Sequence, residues 1–286
     1  MKSDISRWDI EGSIAVVTGA AQGLGLSIAT ELARSGAKVI IADRQQERAN
    51  EAAAVLRDQK LKTEASRLDI SHSDEVADFF EDVLNRNSRI DILVNNAGVG
   101  QNLAPLVDLT DEEWSRVIGV TLTGTFYCCR AAGRIMERQG GGSIVNIASI
   151  NGQSPAALAA AYNVAKAGVI SLTRTLALEL AASGVRVNAV NPGPVYTEFN
   201  KTVMAQRCES LNLTEEQMIE RIRGAIPLGR WGEPIEIARA VAFLSSPLAS
   251  WITGEVIRVS GGLEGVSAAP PRRILSQVES QGRPSA

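Results

Sequence analysis

Ile14-Ala15-Val16-Val17-Thr18-Gly19-Ala20-Ala21-Gln22-Gly23-Leu24-Gly25 is the stretch on which the fold turns. Ile14 to Thr18 is a short apolar run ending at a glycine, the pattern of a buried strand. From Gly23 to Ser35, Leu24, Ile28 and Leu32 recur at helical spacing. Between strand and helix, Gly19, Gly23 and Gly25 let the backbone turn sharply and come close to a pyrophosphate. The helix that follows offers that anion its free N–H groups and the positive end of its dipole. The spacing is G-x-x-x-G-x-G and not the G-x-G-x-x-G of the common dinucleotide fingerprint. Alone, such a loop is also what a tight turn requires.

Outward from this unit the chain repeats it. Lys38 to Ala42 reads as a second strand and Gln45 to Gln59 as a helix. Ala65 to Leu68 is a third strand, with a helix from about Ser73, and Ile90 to Val94 a fourth. A long helix opens at Thr110, where Thr110 and Glu113 have the spacing of a capping box. Ser143 to Ala148 is the fifth strand, Ala159 to Ala182 a long helix, and Val185 to Val190 the sixth strand. The rhythm breaks from Asn191 to Arg230, with one short helix opened by Thr214 and Gln217. It resumes with a helix at Pro234, where proline suits the first helical position, and a last strand near Glu255 to Val259. Strands alternating with helices imply an α/β fold, a doubly wound parallel sheet of about seven strands with helices on both faces. The expected organisation is one domain over residues 1–267, with a lid at about 193–230. A tail, 268–286, is expected to be mobile or to dock on a neighbouring subunit.

Composition narrows the function. The 286 residues are 45% apolar, enough for a sizeable core, and 29 basic against 32 acidic side chains give a net charge of −3. No basic run exists, so the footprint of a nucleic-acid binder is missing. No apolar stretch reaches about eighteen residues, and Met1 to Gly12 is polar, so neither a membrane span nor a signal peptide is expected. Cys128, Cys129 and Cys208 do not make a disulfide framework, and the single histidine, His72, leaves no Cys/His metal site to build. His72 reads as a solvated loop residue. The expectation is a cytoplasmic protein without a metal, whose chemistry uses hydroxyls, lysines, carboxylates or a borrowed cofactor.

The second strand leads into Asp43, eighteen residues past Gly25. A carboxylate there can accept hydrogen bonds from an adenosine ribose and repels a 2′-phosphate, so it favours NAD over NADP. Arg44, next along, is the kind of residue that accommodates that phosphate. Tyr162 and Lys166 are four apart on a helix and share a face. Ser149 ends the fifth strand, near the carboxyl edge where doubly wound sheets bind ligands.

In combination these segments resemble the short-chain dehydrogenase/reductase family. The likeness runs from about Gly12 to Leu263 and includes Thr18 to Gly25, Asn95-Asn96-Ala97-Gly98, Ser149 with Tyr162 and Lys166, and Asn191 to Thr197. Ile252-Thr253-Gly254 and Gly261-Gly262 complete it. The resemblance implies a Rossmann-like sheet, a nicotinamide cofactor and a homotetramer or homodimer. It makes Tyr162 the general acid/base, Ser149 the residue that orients the substrate oxygen, and Lys166 the holder of the nicotinamide ribose. An ammonium about 5 Å from a phenol, at an effective dielectric near 20, favours the phenolate by roughly 3 kcal/mol. That suffices to bring the phenol into the range of a general base at neutral pH. The same resemblance puts Gly19, Gln22, Gly23, Leu24 and Gly25 against the cofactor, with Asp43 and Arg44 at its adenosine end. Asp69 and Ile70 are placed by the adenine, and Asn95, Ala97 and Gly98 along the cleft. Pro192, Gly193, Val195 and Thr197 fall by the nicotinamide.

Three departures stand out. Thr121, in Val120-Thr121-Leu122-Thr123-Gly124, occupies a place where the family usually has asparagine. Asparagine there is thought to hold a water linked to the lysine; a threonine hydroxyl can instead bond back to its own helix. Ser260 stands where an acidic residue often precedes the Gly-Gly pair. The tail after Leu263 has no common role in the family, and it is expected to reach a neighbouring subunit's active-site mouth. The reading is therefore an NAD-dependent oxidoreductase interconverting a secondary alcohol and a ketone. The lid residues Phe199, Val203, Met204, Leu211 and Leu213, mixed with Glu198, Asn200, Lys201 and Glu209, suggest a cyclic alcohol, polyol or sugar-like substrate. A 3-oxoacyl-carrier-protein reductase shares the motifs; Asp43 argues against it, because such reductases usually draw on NADPH. A non-catalytic cofactor-binding scaffold on the same fold is the other alternative.

Overall fold

Alternation along the strands decides which helices cover which face. The computed structural model describes residues 8–197, 204–206, 208–209 and 212–264. Ala15 and Val17 of β1 (Ile14–Thr18), with Val39 and Ile41 of β2 (Lys38–Asp43), face one way. They pack on α1 (Gly23–Arg34), α2 (Gln46–Asp58) and the late helix α8 (Pro234–Ser245). Val16 and Ile40 point oppositely, joined by Leu93 of β4 (Ile92–Asn95) and Ile144 of β5 (Gly142–Ile147). Their partners come from α3 (Ser73–Asn87), α5 (Thr125–Gln139) and α6 (Ala160–Leu180). Each fully buried Leu or Ile contributes about 1.5–3 kcal/mol of transfer energy, so burial of both faces commits the chain to this layering.

With β3 (Thr63–Arg67), β6 (Val185–Pro192) and β7 (Val256–Val259), the sheet has seven strands in the order β3-β2-β1-β4-β5-β6-β7. Every neighbouring pair is parallel. The order reverses between β1 and β4, and the carboxyl ends there form the crevice in which such sheets bind ligands.

Several boundaries differ from expectation. β3 begins earlier, because its register with β2 runs from Val39↔Thr63 to Asp43↔Arg67; being at the edge and half-exposed, it has no apolar run to mark it. The helix after β4 is broken into α4 (Asp111–Ile118), a π-helical turn Gly119–Gly124, and α5. Only half of the Thr110 capping box forms. Thr110 Oγ1 accepts from Glu113 N, but the Glu113 carboxylate is turned to Arg116 and to Asn102 N. The box at Thr214 and Gln217 is complete and opens α7 (Glu215–Ala225). His72 is exposed, as expected of a loop residue.

The expected lid residues Glu198, Phe199, Asn200, Lys201, Val203 and Leu211, and the tail 268–286, lie outside the described residues. Met204 is buried and Leu213 half-buried. No helix among the described residues is long and apolar enough to cross a membrane.

Candidate active site

The crevice has a volume of about 360 Å³. Gly19 has φ +62, and a Cβ there would stand 2.8 Å from Ala97 Cα; a Cβ on Gly25 would run into the Gly19 carbonyl oxygen. Backbone packing therefore excludes side chains at both positions. Gln22 occupies the cap position of α1 without a side-chain capping bond, and no acidic residue stands in the first turn. Gln22, Gly23, Leu24 and Gly25 all line the crevice, so the positive end of α1 meets it with no carboxylate in the helix's own first turn. Gln22 Oε1 accepts instead from Arg48 Nη1 at 2.6 Å.

At the far end Asp43 is 7% exposed and lines the crevice beside Arg44. Its Oδ2 accepts from Ala21 N at 3.1 Å and its Oδ1 from Gln45 N at 3.0 Å, so the carboxylate braces the glycine loop. Asp69 and Ile70 line the same end. The Asp69 carboxylate accepts from Ser71 N and Ser71 Oγ and does not cap α3, where His72 holds the cap position. Burial raises the Asp69 pKa, but the two Ser71 bonds, with His72 and Arg44, outweigh it and hold it below the usual value.

The asparagine expected at the cleft is displaced by one residue. Asn95 is 3% exposed and points into the core, its Nδ2 donating to Asn146 Oδ1 at 2.8 Å and to Cys129 Sγ. Asn96 lines the crevice instead, its Nδ2 donating to the carbonyls of Thr18 and Gly19 at 3.0 Å each. Thr18 Oγ1 accepts from Asn96 N and Ala97 N, so β1 and the turn after β4 are stapled together. The paired asparagines in the sequence mark the turn; which one faces the ligand depends on the end of β4. Ala97 and Gly98 line the crevice as expected, as do Pro192, Gly193, Val195 and Thr197.

Ser149, Tyr162 and Lys166 meet at one corner of the crevice. Ser149 is buried in extended backbone just past β5, and its Oγ accepts from Asn151 N at 3.1 Å. One turn of α6 separates Tyr162 from Lys166, whose Nζ lies 5.7 Å from the phenol ring centroid. Lys166 is 5% exposed, and Nζ donates to Ile147 O at 2.6 Å. Burial lowers its pKa to about 8. Burial raises the Tyr162 pKa, and the hydrogen bond with Ser149 pulls it back only in part. The phenol is thus held above its ordinary value, where a lowered one was expected. Both groups are driven toward their neutral forms, because a dry corner disfavours charge on either.

Thr121 also behaves differently. It is fully buried in the π-helical turn, and Oγ1 donates to Val99 O at 3.2 Å while accepting from Val99 N at 3.1 Å. The Thr121 carbonyl accepts from Thr125 Oγ1 at 2.9 Å. The hydroxyl is committed to the segment after β4 and not to its own helix, and the residue does not line the crevice.

A family model described as enoyl-(acyl carrier protein) reductase matches residues 19–264. The chain belongs to the short-chain dehydrogenase/reductase family. A 3-oxoacyl-[acyl-carrier-protein] reductase of Synechocystis sp. is 38% identical, over 89% of this chain and 98% of that one. A cis-4-hydroxycyclohexanecarboxylate dehydrogenase of Sinomonas cyclohexanicum is 39% identical, over 88% and 97%. The crystal structure of an NAD+-bound xylitol dehydrogenase is similar with a TM-score of 0.86 and 30% identity, over 89% of this chain and all of that one. Similar solved structures include NADP and NADPH complexes as well. The protein is therefore an oxidoreductase of the short-chain type, a family that works with NAD or NADP.

Proposed function

We propose that the protein transfers hydride between a secondary alcohol and its ketone with NAD, using Tyr162 as general acid/base. The observation that carries this reading is the hydrogen-bonded Ser149–Tyr162 pair beside buried Lys166, at the end of a crevice walled by the glycine loop. The residues present fit a dinucleotide: Gly19 and Gly25 leave room only for backbone, and the uncapped start of α1 suits a pyrophosphate. Gln22 to Gly25 would hold the phosphates, Asp43 the adenosine ribose, and Lys166 the nicotinamide ribose. When bound, the nicotinamide supplies the hydride acceptor or donor.

The chain's own residues supply position and proton. Ser149 Oγ holds the substrate oxygen as its charge changes. In the oxidative direction Tyr162 Oη takes the hydroxyl proton, and in reduction it returns one to the forming alkoxide. As the phenol loses its proton, the Lys166 ammonium beside the ring stabilises the phenolate. Asp43 supports NAD, since a 2′-phosphate would meet a buried carboxylate. The substrate class, a cyclic alcohol, polyol or sugar-like compound, draws support from the cyclohexanecarboxylate and xylitol relatives. A homodimer or homotetramer is proposed on the exposed Trp251 and Leu178.

A second reading, NADPH-dependent reduction of a 3-oxoacyl thioester, is favoured by Arg44 beside Asp43 and by the carrier-protein reductase relative. The test is steady-state turnover of a panel of cyclic alcohols, polyols and 3-oxoacyl thioesters with both cofactors, Tyr162→Phe serving as the blank. NAD-linked oxidation of secondary alcohols, lost in the blank, is expected. Cofactor binding with no turnover of any panel member overturns the reading in favour of a scaffold.

A further inference from the structure

Helix α6, which carries Tyr162 and Lys166, starts without a cap of its own. Ala159 holds its cap position, and no side-chain capping bond is made from there. The cap comes from sixty residues upstream. Gln101, in the segment joining β4 to α4, is 4% exposed, and its Oε1 accepts from Ala161 N at 2.7 Å. Its Nε2 donates to Leu158 O at 3.0 Å, so both ends of one buried amide are spent on the turn that delivers Tyr162. That turn is held against its own preference. Leu158 has φ +66, a conformation that a side chain disfavours and that persists only where its surroundings over-determine it. Its carbonyl is fixed a second time by Ala104 N, at 3.2 Å.

We propose that Gln101 is a positioning residue for Tyr162. It sets where α6 begins and so where the phenol stands relative to Ser149. The upstream segment is itself pinned, since Val99 is gripped at both its N–H and its carbonyl by Thr121. Through the side chains of Thr121 and Gln101, which bond to the backbone of Val99 and Ala161, the helix after β4 is tied to the start of α6. Gln101 touches neither substrate nor cofactor in this scheme; it does not line the crevice.

The inference rests on Tyr162 as the acid/base, and its test separates the two claims. Gln101→Met keeps the size and removes both hydrogen bonds, whereas Gln101→Glu keeps an acceptor for Ala161 N and loses the donor to Leu158 O. For Gln101→Met, kcat falls by about tenfold or more, as misplaced reacting groups require, while the Kd for NAD changes by less than about twofold. Gln101→Glu falls between that variant and the wild type. Adding Leu158→Gly to Gln101→Met restores part of kcat, because glycine adopts the positive φ without an anchor. Tyrosine labelled with 13C at Cζ supplies a readout independent of turnover. The chain has three tyrosines, Tyr127, Tyr162 and Tyr196, and Tyr162→Phe assigns the signal. The Tyr162 resonance alone is expected to shift or broaden in Gln101→Met. A lowered Tm with unchanged kcat and an unchanged Tyr162 resonance overturns the proposal, as does an equal loss of cofactor binding. If the wild type turns over no alcohol, the acid/base reading fails while the NMR comparison still decides whether Gln101 places the phenol.

Discussion

Replacing Lys166 by methionine tests the electrostatics of the active corner directly. Lys166 is 5% exposed, and burial brings its pKa from 10.5 to about 8. At about 1.4 kcal/mol per pH unit, a drop of that size corresponds to about 3 kcal/mol of native-state preference for the neutral amine. Below pH 8 the folded protein carries a proton that its burial disfavours. Between pH 8 and 10.5 the native lysine has released that proton while the unfolded chain still binds it, so stability from this residue rises with pH across the window. Methionine has similar length and no charge, and its substitution removes the penalty together with the bond to Ile147 O, a loss of about 1 kcal/mol. At pH 7 Lys166→Met is therefore expected to be more stable than wild type by about 2 kcal/mol, although catalytically dead. By pH 10.5 the order reverses, and the gap has moved by about 3 kcal/mol. The assay is urea denaturation of both proteins at fixed concentration through this pH range, taking the difference at each pH so that other titrations cancel. A gap that stays constant to within about 0.5 kcal/mol would refute the claim that burial of a charged Lys166 strains the native site.

Asp43→Ala should narrow the preference for NAD over NADP by about a hundredfold, since a unit charge some 5 Å away at an effective dielectric near 20 is worth about 3 kcal/mol. Fluorescence titration with both reduced cofactors measures it, and an unchanged ratio assigns discrimination elsewhere. Thr121→Val leaves both polar groups of Val99 without their partner and should cost about 1–3 kcal/mol in urea unfolding, whereas Thr121→Asn, which keeps a donor and an acceptor, should retain turnover. Comparable turnover and stability in both variants would show that the hydroxyl is idle. Gly25→Ala should raise the Kd for NAD by at least about a hundredfold, because steric overlap with the Gly19 carbonyl must move the loop; isothermal titration calorimetry reports it, and wild-type affinity would contradict the cradle geometry.

The three residues at the active corner were legible because their signals are local. Tyr162 and Lys166 are one helical turn apart, and Ser149 lies just past a strand whose apolar run is plain in the sequence. The glycine loop and Asp43 are legible for the same reason, each being a residue type demanded by its own place at a strand end. Asn95 and Asn96 show where this stops. Both lie in one motif, and only the packing of β4 against β5 and α5 turns Asn95 inward to Asn146 and Cys129.

What the sequence by itself determined is the βαβ order, the two-faced sheet and the residue types at the crevice, because hydrophobic period and turn chemistry act over a few residues. What only the tertiary structure decided is how those residues are tuned. Thr121 meets Val99 across 22 positions, Gln101 meets Ala161 across 60, and Lys166 reaches Ile147 across 19. Burial then sets the proton affinities of Lys166 and Tyr162. Hydrogen bonds between distant segments and the loss of water from a corner are properties of the assembled chain, and no local pattern encodes them.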